Sequence, residues 1–157
     1  MELNELIAAF AAKLGIEGLE VKDGSCSLEI DGIPVEILET PNGKALVLTA
    51  IIGPPPLDKT EAFLELLLEA NAESLGMQAM AFGKLPDSSN LILQWRFPTQ
   101  GLELEAFCTE LEDFINKAEQ WRQALEDFRP AAEEAVIQEE EATIPMMGLG
   151  NSGFISV

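Results

Sequence analysis

Residues 60–76, "TEAFLELLLEANAESLG", decide how this chain is built. Phe63, Leu67 and Ala70 recur at i, i+4 and i+7 and draw one apolar stripe along a helix; Leu64 and Leu68 draw a second and Leu66 a third. Mainly Glu61, Glu65, Glu69 and Glu73 are left for water. A helix apolar over most of its circumference is buried on more than one side. In a short chain that means a sheet beneath it and a second body above it, and the second body can be another copy of the protein.

The elements around this helix follow from their periods. Leu3, Leu6, Ile7, Phe10, Ala11 and Leu14 keep helical spacing and Gly15 stands where a C-terminal cap belongs, which predicts a first helix over 2–14. Cys26, Leu28 and Ile30 alternate with Ser25, Ser27 and Glu29; Asp31-Gly32 is a two-residue hairpin signal; Ile33, Val35 and Ile37 continue the alternation. "KALVLTAII" (44–52) is apolar on both faces and reads as a central strand, ended by "GPPP" (53–56) because proline offers no ladder N–H. Asp58 or Thr60 is the expected N-cap of the opening helix, and the Asn71 to Gly76 region its stop.

"MQAMAFGKL" (77–85) and "LILQWRF" (91–97) predict two more strands around the turn-rich "PDSSN". A final helix over about 101–128 carries Leu104, Phe107, Leu111, Phe114, Ala118, Trp121, Leu125 and Phe128 at alternating steps of 3 and 4. With fewer than four heptads and a sheet to cover, this is a helix laid on a sheet in preference to a coiled coil. The expected order is α-β-β-β-α-β-β-α, an α+β fold with a mainly antiparallel sheet covered by helices, over residues 1–129. Residues 130–157 are expected to form an acidic linker and an apolar C-terminal tail.

Composition narrows the function. The chain has 157 residues, 28 acidic against 9 basic, for a net charge of −19, and no histidine or tyrosine. Nucleic acid and anionic membrane surfaces are poor partners for such a chain, since both need Lys and Arg to neutralise phosphate. Missing histidine removes the commonest general base and metal ligand, so no catalytic residue, no metal site and no cofactor is expected. The acids lie on helix faces opposite apolar stripes or in "EEE" (139–141), the pattern of a solvated face; a carboxylate-based hydrolase is the remaining enzymatic alternative. "GLGNSG" (148–153) matches a dinucleotide-binding turn only in letters, because Phe154 to Val157 leave no room for the helix that must follow. "MELNELIAAF" has no basic leader region and no apolar run approaches the ~18 residues that span a bilayer. Cys26 and Cys108 form no C-x-x-C pair and read as reduced thiols in a cytosolic protein.

The order of elements, together with "LGIEGLEVKDGSCSLEIDG", "LLLEANAESLG", "LILQWRFP" and "AEQWR", resembles the small acidic type III secretion chaperones of bacteria, the Tir chaperone family. The resemblance covers residues 1 to about 128; the stretch 130–157 runs past the point where such chaperones usually stop. It implies a cytoplasmic bacterial homodimer without enzymatic activity that binds a non-globular segment of a secreted effector and keeps it soluble, with a secretion ATPase as a further partner. An adaptor or regulatory protein of the same fold, outside any secretion system, is the alternative.

Carried onto this sequence, the family's dimer interface falls on Leu64, Leu68, Met77, Met80 and Phe82. Phe63 and Leu67 then face the sheet. The family's client surface, made by the first helix and first strands with a client strand sometimes added at a sheet edge, falls on Phe10, Leu14, Leu28, Ile30, Ile33, Val35 and Ile37. Each strand turns one face to the helices, so half of these are ordinary core, and periodicity leaves open which half. In the tail, Met146, Met147, Leu149, Phe154 and Ile155 follow the acidic run without an intervening charge, and these residues are expected to dock.

Overall fold

The computed structural model describes residues 2–74 and 80–129. Helix α1 (Leu3–Leu14) leads into strands β1 (Ser25–Ile30), β2 (Ile33–Glu39) and β3 (Ala45–Gly53). A 3-10 turn (Leu57–Lys59) then opens α2 (Thr60–Ser74), followed by β4 (Met80–Lys84), β5 (Leu91–Pro98) and α3 (Leu104–Asp127). All strand pairs are antiparallel and the sheet order is β1-β2-β3-β5-β4, so the strand that reads apolar on both faces is the central one. Residues 77–79 of the expected fourth strand, and the linker and tail from 130 onward, lie outside the described residues.

The local signals act where they stand. Gly15 ends α1 in the left-handed conformation (φ 70°), its N–H donating to the Ala11 carbonyl, a geometry that glycine adopts without steric cost. Asp31 and Gly32 both take positive φ (51° and 73°), as the tight turn between β1 and β2 requires. The N-cap expectation fails: the Thr60 hydroxyl donates backwards to the Pro56 carbonyl (2.6 Å) and the Leu57 carbonyl. It thus ties down the 3-10 turn in front of α2, and Asp58 sits within that turn.

One face of the sheet and all three helices share a single apolar cluster. The register aligns Cys26, Ile37 and Leu48 in one row and Leu28, Val35, Ala50 and Leu93 in the next, all buried. Helix α3 supplies Phe107, Leu111, Phe114, Ala118 and Leu125, also buried. Four edge-to-face ring pairs fix the layers: Phe10 with Phe107, Phe63 with Phe128, Phe82 with Trp121, and Trp95 with Phe114, at centroid distances from 4.6 to 6.4 Å. Such pairs add about 0.5–1.5 kcal/mol each beyond their burial. The opposite phase of the strands carries Ser27, Glu36, Thr49 and Gln94 across the sheet, with Gln94 Nε2 donating to Thr49 Oγ1 (3.3 Å). Burial pushes the Glu36 carboxyl above its ordinary pKa. The same cause raises the Cys26 thiol to about 11 and leaves it an inert apolar side chain.

Candidate binding surfaces

Two surfaces of the protomer are open, and each is set up by a sheet edge. At the β4 edge, Phe82 turns its N–H and C=O outward and Asn71 of α2 meets both. Phe82 N–H donates to Asn71 Oδ1 (2.6 Å) and Asn71 Nδ2 donates to the Phe82 carbonyl (3.2 Å). The side-chain amide copies the pairing pattern of a neighbouring strand. At Phe82 this edge is therefore met from within the protomer.

At the β1 edge the ladder stays open. Glu39 N–H bonds the Gly24 carbonyl (2.9 Å), and alternation from there makes Cys26, Leu28 and Ile30 the residues bonded to β2. Ser25, Ser27 and Glu29 then point their backbone groups away from the sheet. Ser25 closes a one-bridge turn with Lys22 (2.8 and 2.9 Å). Ser27 and Glu29 have no backbone partner among the described residues, and the buried Ser27 hydroxyl has none either. Ser27 is only 5% exposed, so the open stretch of this edge centres on the half-buried Glu29, where an extended segment can pair.

The second surface is apolar. Phe63 and Leu67 of α2 are fully buried against the sheet, whereas Leu64 is 37% and Leu68 67% exposed, so the helix has the two apolar faces that its sequence requires. Leu57, 76% exposed, precedes them by 7 and 11 residues in the 3-10 turn that opens the helix. Sequence reasoning passed over it because three prolines in front of it hide the start of the helical period. Of the other residues assigned to the dimer interface, Met80 is half-buried, Phe82 is buried against Trp121 (4.6 Å), and Met77 lies outside the described residues.

The client-surface assignment divides. Phe10, Leu28, Ile33, Val35 and Ile37 are core residues, at most 4% exposed, and cannot meet a partner without unfolding the layer. The physical reason is phase: these strand residues are the set that faces the helices. Leu14 (51% exposed) and Ile30 (half-buried) remain at the surface, and Ile16, Leu19 and Val21 are half-buried beside the core. Leu38, 40% exposed, was missed although it is legible, because it is the apolar residue on the polar phase of β2. The tail residues Met146, Met147, Leu149, Phe154 and Ile155 lie outside the described residues. An open cleft of about 1160 Å³ beside the start of α1 is lined by Glu2, Glu5, Asp23 and Glu39 and by glycine backbone; it offers carboxylates, not an apolar seat.

Among the described residues no group of three His, Cys, Asp or Glu side chains could hold a metal, and no helix is long and apolar enough to cross a membrane. A free strand edge on one side of the sheet and a leucine stripe on the other define a protein that binds polypeptide. The chain belongs to the Tir chaperone protein (CesT) family, whose model matches residues 5–122. Its membership makes it a type III secretion chaperone, a binding protein without enzymatic activity.

Three solved structures show the same fold. The chain is 25% identical to a chain of the ExsC–ExsE complex, over 80% of this chain and 97% of that one, with a TM-score of 0.68. It is 18% identical to a chain of the HopA1–SchA chaperone–effector complex, over 76% and 91%, with a TM-score of 0.64. It is 20% identical to a chain in the structure of the Yersinia pestis type III secretion chaperone SycH with a stable fragment of YscM2, over 75% and 98%, with a TM-score of 0.59. A comparison with curated protein sequences finds no match.

Proposed function

We propose that the protein is a cytoplasmic bacterial chaperone that works as a twofold dimer and holds one extended segment of a secreted effector until export. The observation that carries this reading is the pair of unlike sheet edges. The β4 edge is met at Phe82 by Asn71, while β1 offers the outward N–H and C=O groups of Glu29. An effector strand added at β1 gains main-chain bonds that do not depend on its sequence. Its side chains find the apolar atoms of the half-buried Ile30. Ordering the segment opposes that gain, which keeps the complex reversible and suits a chaperone that must release its client.

The leucine stripe of Leu57, Leu64 and Leu68 supplies the contact between copies, with Met80 at its margin. A secretion ATPase is a further partner under this reading.

The test is purification of the full-length protein from its native cytosol and identification of what comes with it. The expected result is one secreted effector in stoichiometric complex with a chaperone dimer, protecting the Glu29 amide from hydrogen exchange. A chain that purifies alone from cells in which a type III secretion system is expressed overturns the reading.

A further inference from the structure

The last sixteen residues, 142–157, carry no charged side chain, yet they follow the most acidic run of a chain of net charge −19. They contain Ile144, Met146, Met147, Leu149, Phe154, Ile155 and Val157. The structure shows where this tail begins. Phe128 packs against Phe63 at 5.2 Å, and Arg129 Nη2 donates to the Pro54 carbonyl at 2.6 Å, just past the end of β3. Val35 pairs with Ala50 and Ile30 with Ile33, so the end of β3, the start of β2 and the end of β1 lie at one side of the sheet. Arg122 of α3, bonded to the Gly32 carbonyl (2.9 Å), marks the same side. Two interstrand spacings across the sheet, about 10 Å, and three residues along it, about 10 Å more, separate Pro54 from the edge at Glu29. The fourteen residues from Arg129 to Ala142 can span about 45 Å, more than both together.

We propose that residues 143–157 pair with the β1 edge of their own protomer and occupy the client position until an effector displaces them. The inference rests on the reading of β1 as the client edge. The tail supplies what that edge lacks: a main-chain donor and acceptor for Glu29, and apolar side chains for Ile30. Its lack of side-chain charge suits it to an acidic surface that would repel the preceding "EEE". The linker holds the tail at high effective concentration, so a weak contact suffices to cover the edge. A client competes with it on equal chemical terms.

Amide exchange of the full-length chain, of a chain ended after Glu141, and of a full-length chain carrying Phe154→Asp and Ile155→Asp tests this. The substitutions lie beyond α3 and leave the folded layers untouched. Glu29 is expected to exchange at least tenfold faster in the two altered chains than in the full-length one, and a synthetic peptide of residues 143–157 added to the shortened chain restores protection. Equal rates in all three chains overturn the proposal. So does protection that disappears when the full-length chain is made monomeric, since the tail would then be serving the partner. If the rates are equal but a co-purified effector still protects Glu29, the tail proposal falls and the chaperone reading stands. If shortening exposes Glu29 but no effector is ever bound, the tail proposal stands and the chaperone reading falls.

Discussion

Replacing Asn71 by alanine removes the plug from the β4 edge. Two hydrogen bonds disappear, Phe82 N–H to Asn71 Oδ1 at 2.6 Å and Asn71 Nδ2 to the Phe82 carbonyl at 3.2 Å. Each is worth about 1 kcal/mol net, and a buried group left without a partner costs about 1–3 kcal/mol. Both bonds are partly buried, so water recovers part of the loss and the two together come to about 2–3 kcal/mol. Alanine is the better helix former by about 0.5 kcal/mol, which offsets a little. The expected destabilisation is about 2 kcal/mol, or about 6–10 °C in the melting temperature for a domain of this size. Calorimetry gives the first number and amide exchange at Phe82 a second, because the freed N–H should exchange faster by at least tenfold. Asn71→Asp keeps the acceptor for the N–H but turns a carboxylate toward the Phe82 carbonyl, so it should restore slow exchange at Phe82 without restoring the melting temperature. An alanine variant that melts within about 2 °C of the parent, with Phe82 exchanging at the parental rate, refutes the assignment of Asn71 as the edge partner.

Leu68→Glu should give monomers in sedimentation at micromolar concentration, since the twofold contact would bury a carboxylate from each copy. Because Leu68 is 67% exposed in the protomer, its unfolding free energy should stay within about 0.5 kcal/mol of the parent. Glu36 faces Ser27 and Thr49 across the sheet, with Glu29 two residues along β1, and burial raises its pKa from the ordinary 4.5. The folded state therefore binds more protons than the unfolded one, and this group's contribution weakens stability as pH rises from about 4.5 through the raised value. Glu36→Gln should remove that slope and stabilise the protein near neutral pH, as urea unfolding across that range will show.

What the sequence revealed and what it hid divide along one physical line. Period alone placed β1, β2, β5 and α3, because Cys26, Leu28, Ile33, Val35, Ile37 and the α3 stripe must all face one core. It also marked α2 as two-faced, with Phe63 and Leu67 inward and Leu64 and Leu68 outward. The client surface came from the family resemblance, and period left open which half of it is core. An apolar residue in phase with its strand faces the helices, and Leu28, Val35 and Ile37 are accordingly buried in the protomer. Residues out of phase, such as Leu38, or beyond the edge of a period, such as Leu57, are the ones left to solvent. The Asn71 to Phe82 pairing joins residues eleven apart through a side chain and a backbone, and no periodicity encodes it.

The charge of the chain bears on its assembly as well. Around the stripe of Leu57, Leu64 and Leu68, α2 exposes Glu61, Glu65, Glu69 and Glu73, and the one cation of the 3-10 turn and α2, Lys59, is held over the Phe128 ring at 5.9 Å. In a twofold contact each patch meets its own copy, so these carboxylates form a like-charged rim around an apolar centre. Rim charges are solvated and lie several ångströms apart, the regime in which salt screens effectively: the Debye length falls from about 10 Å at 0.1 M to about 3 Å at 1 M. The apolar centre is not weakened by the same change, since burial of leucine against leucine does not depend on ionic screening. Dimerisation should therefore tighten as sodium chloride rises from about 0.05 M to about 0.5 M, with a Kd that drops severalfold in sedimentation equilibrium. Client association at β1 should keep most of its affinity over the same range, because main-chain pairing and apolar contact carry it and charge mainly sets the encounter rate. A dimer that dissociates as salt is added would mean that ion pairs hold the copies together. No basic side chain of α2 is placed to supply them, and the leucine stripe would then not be the contact.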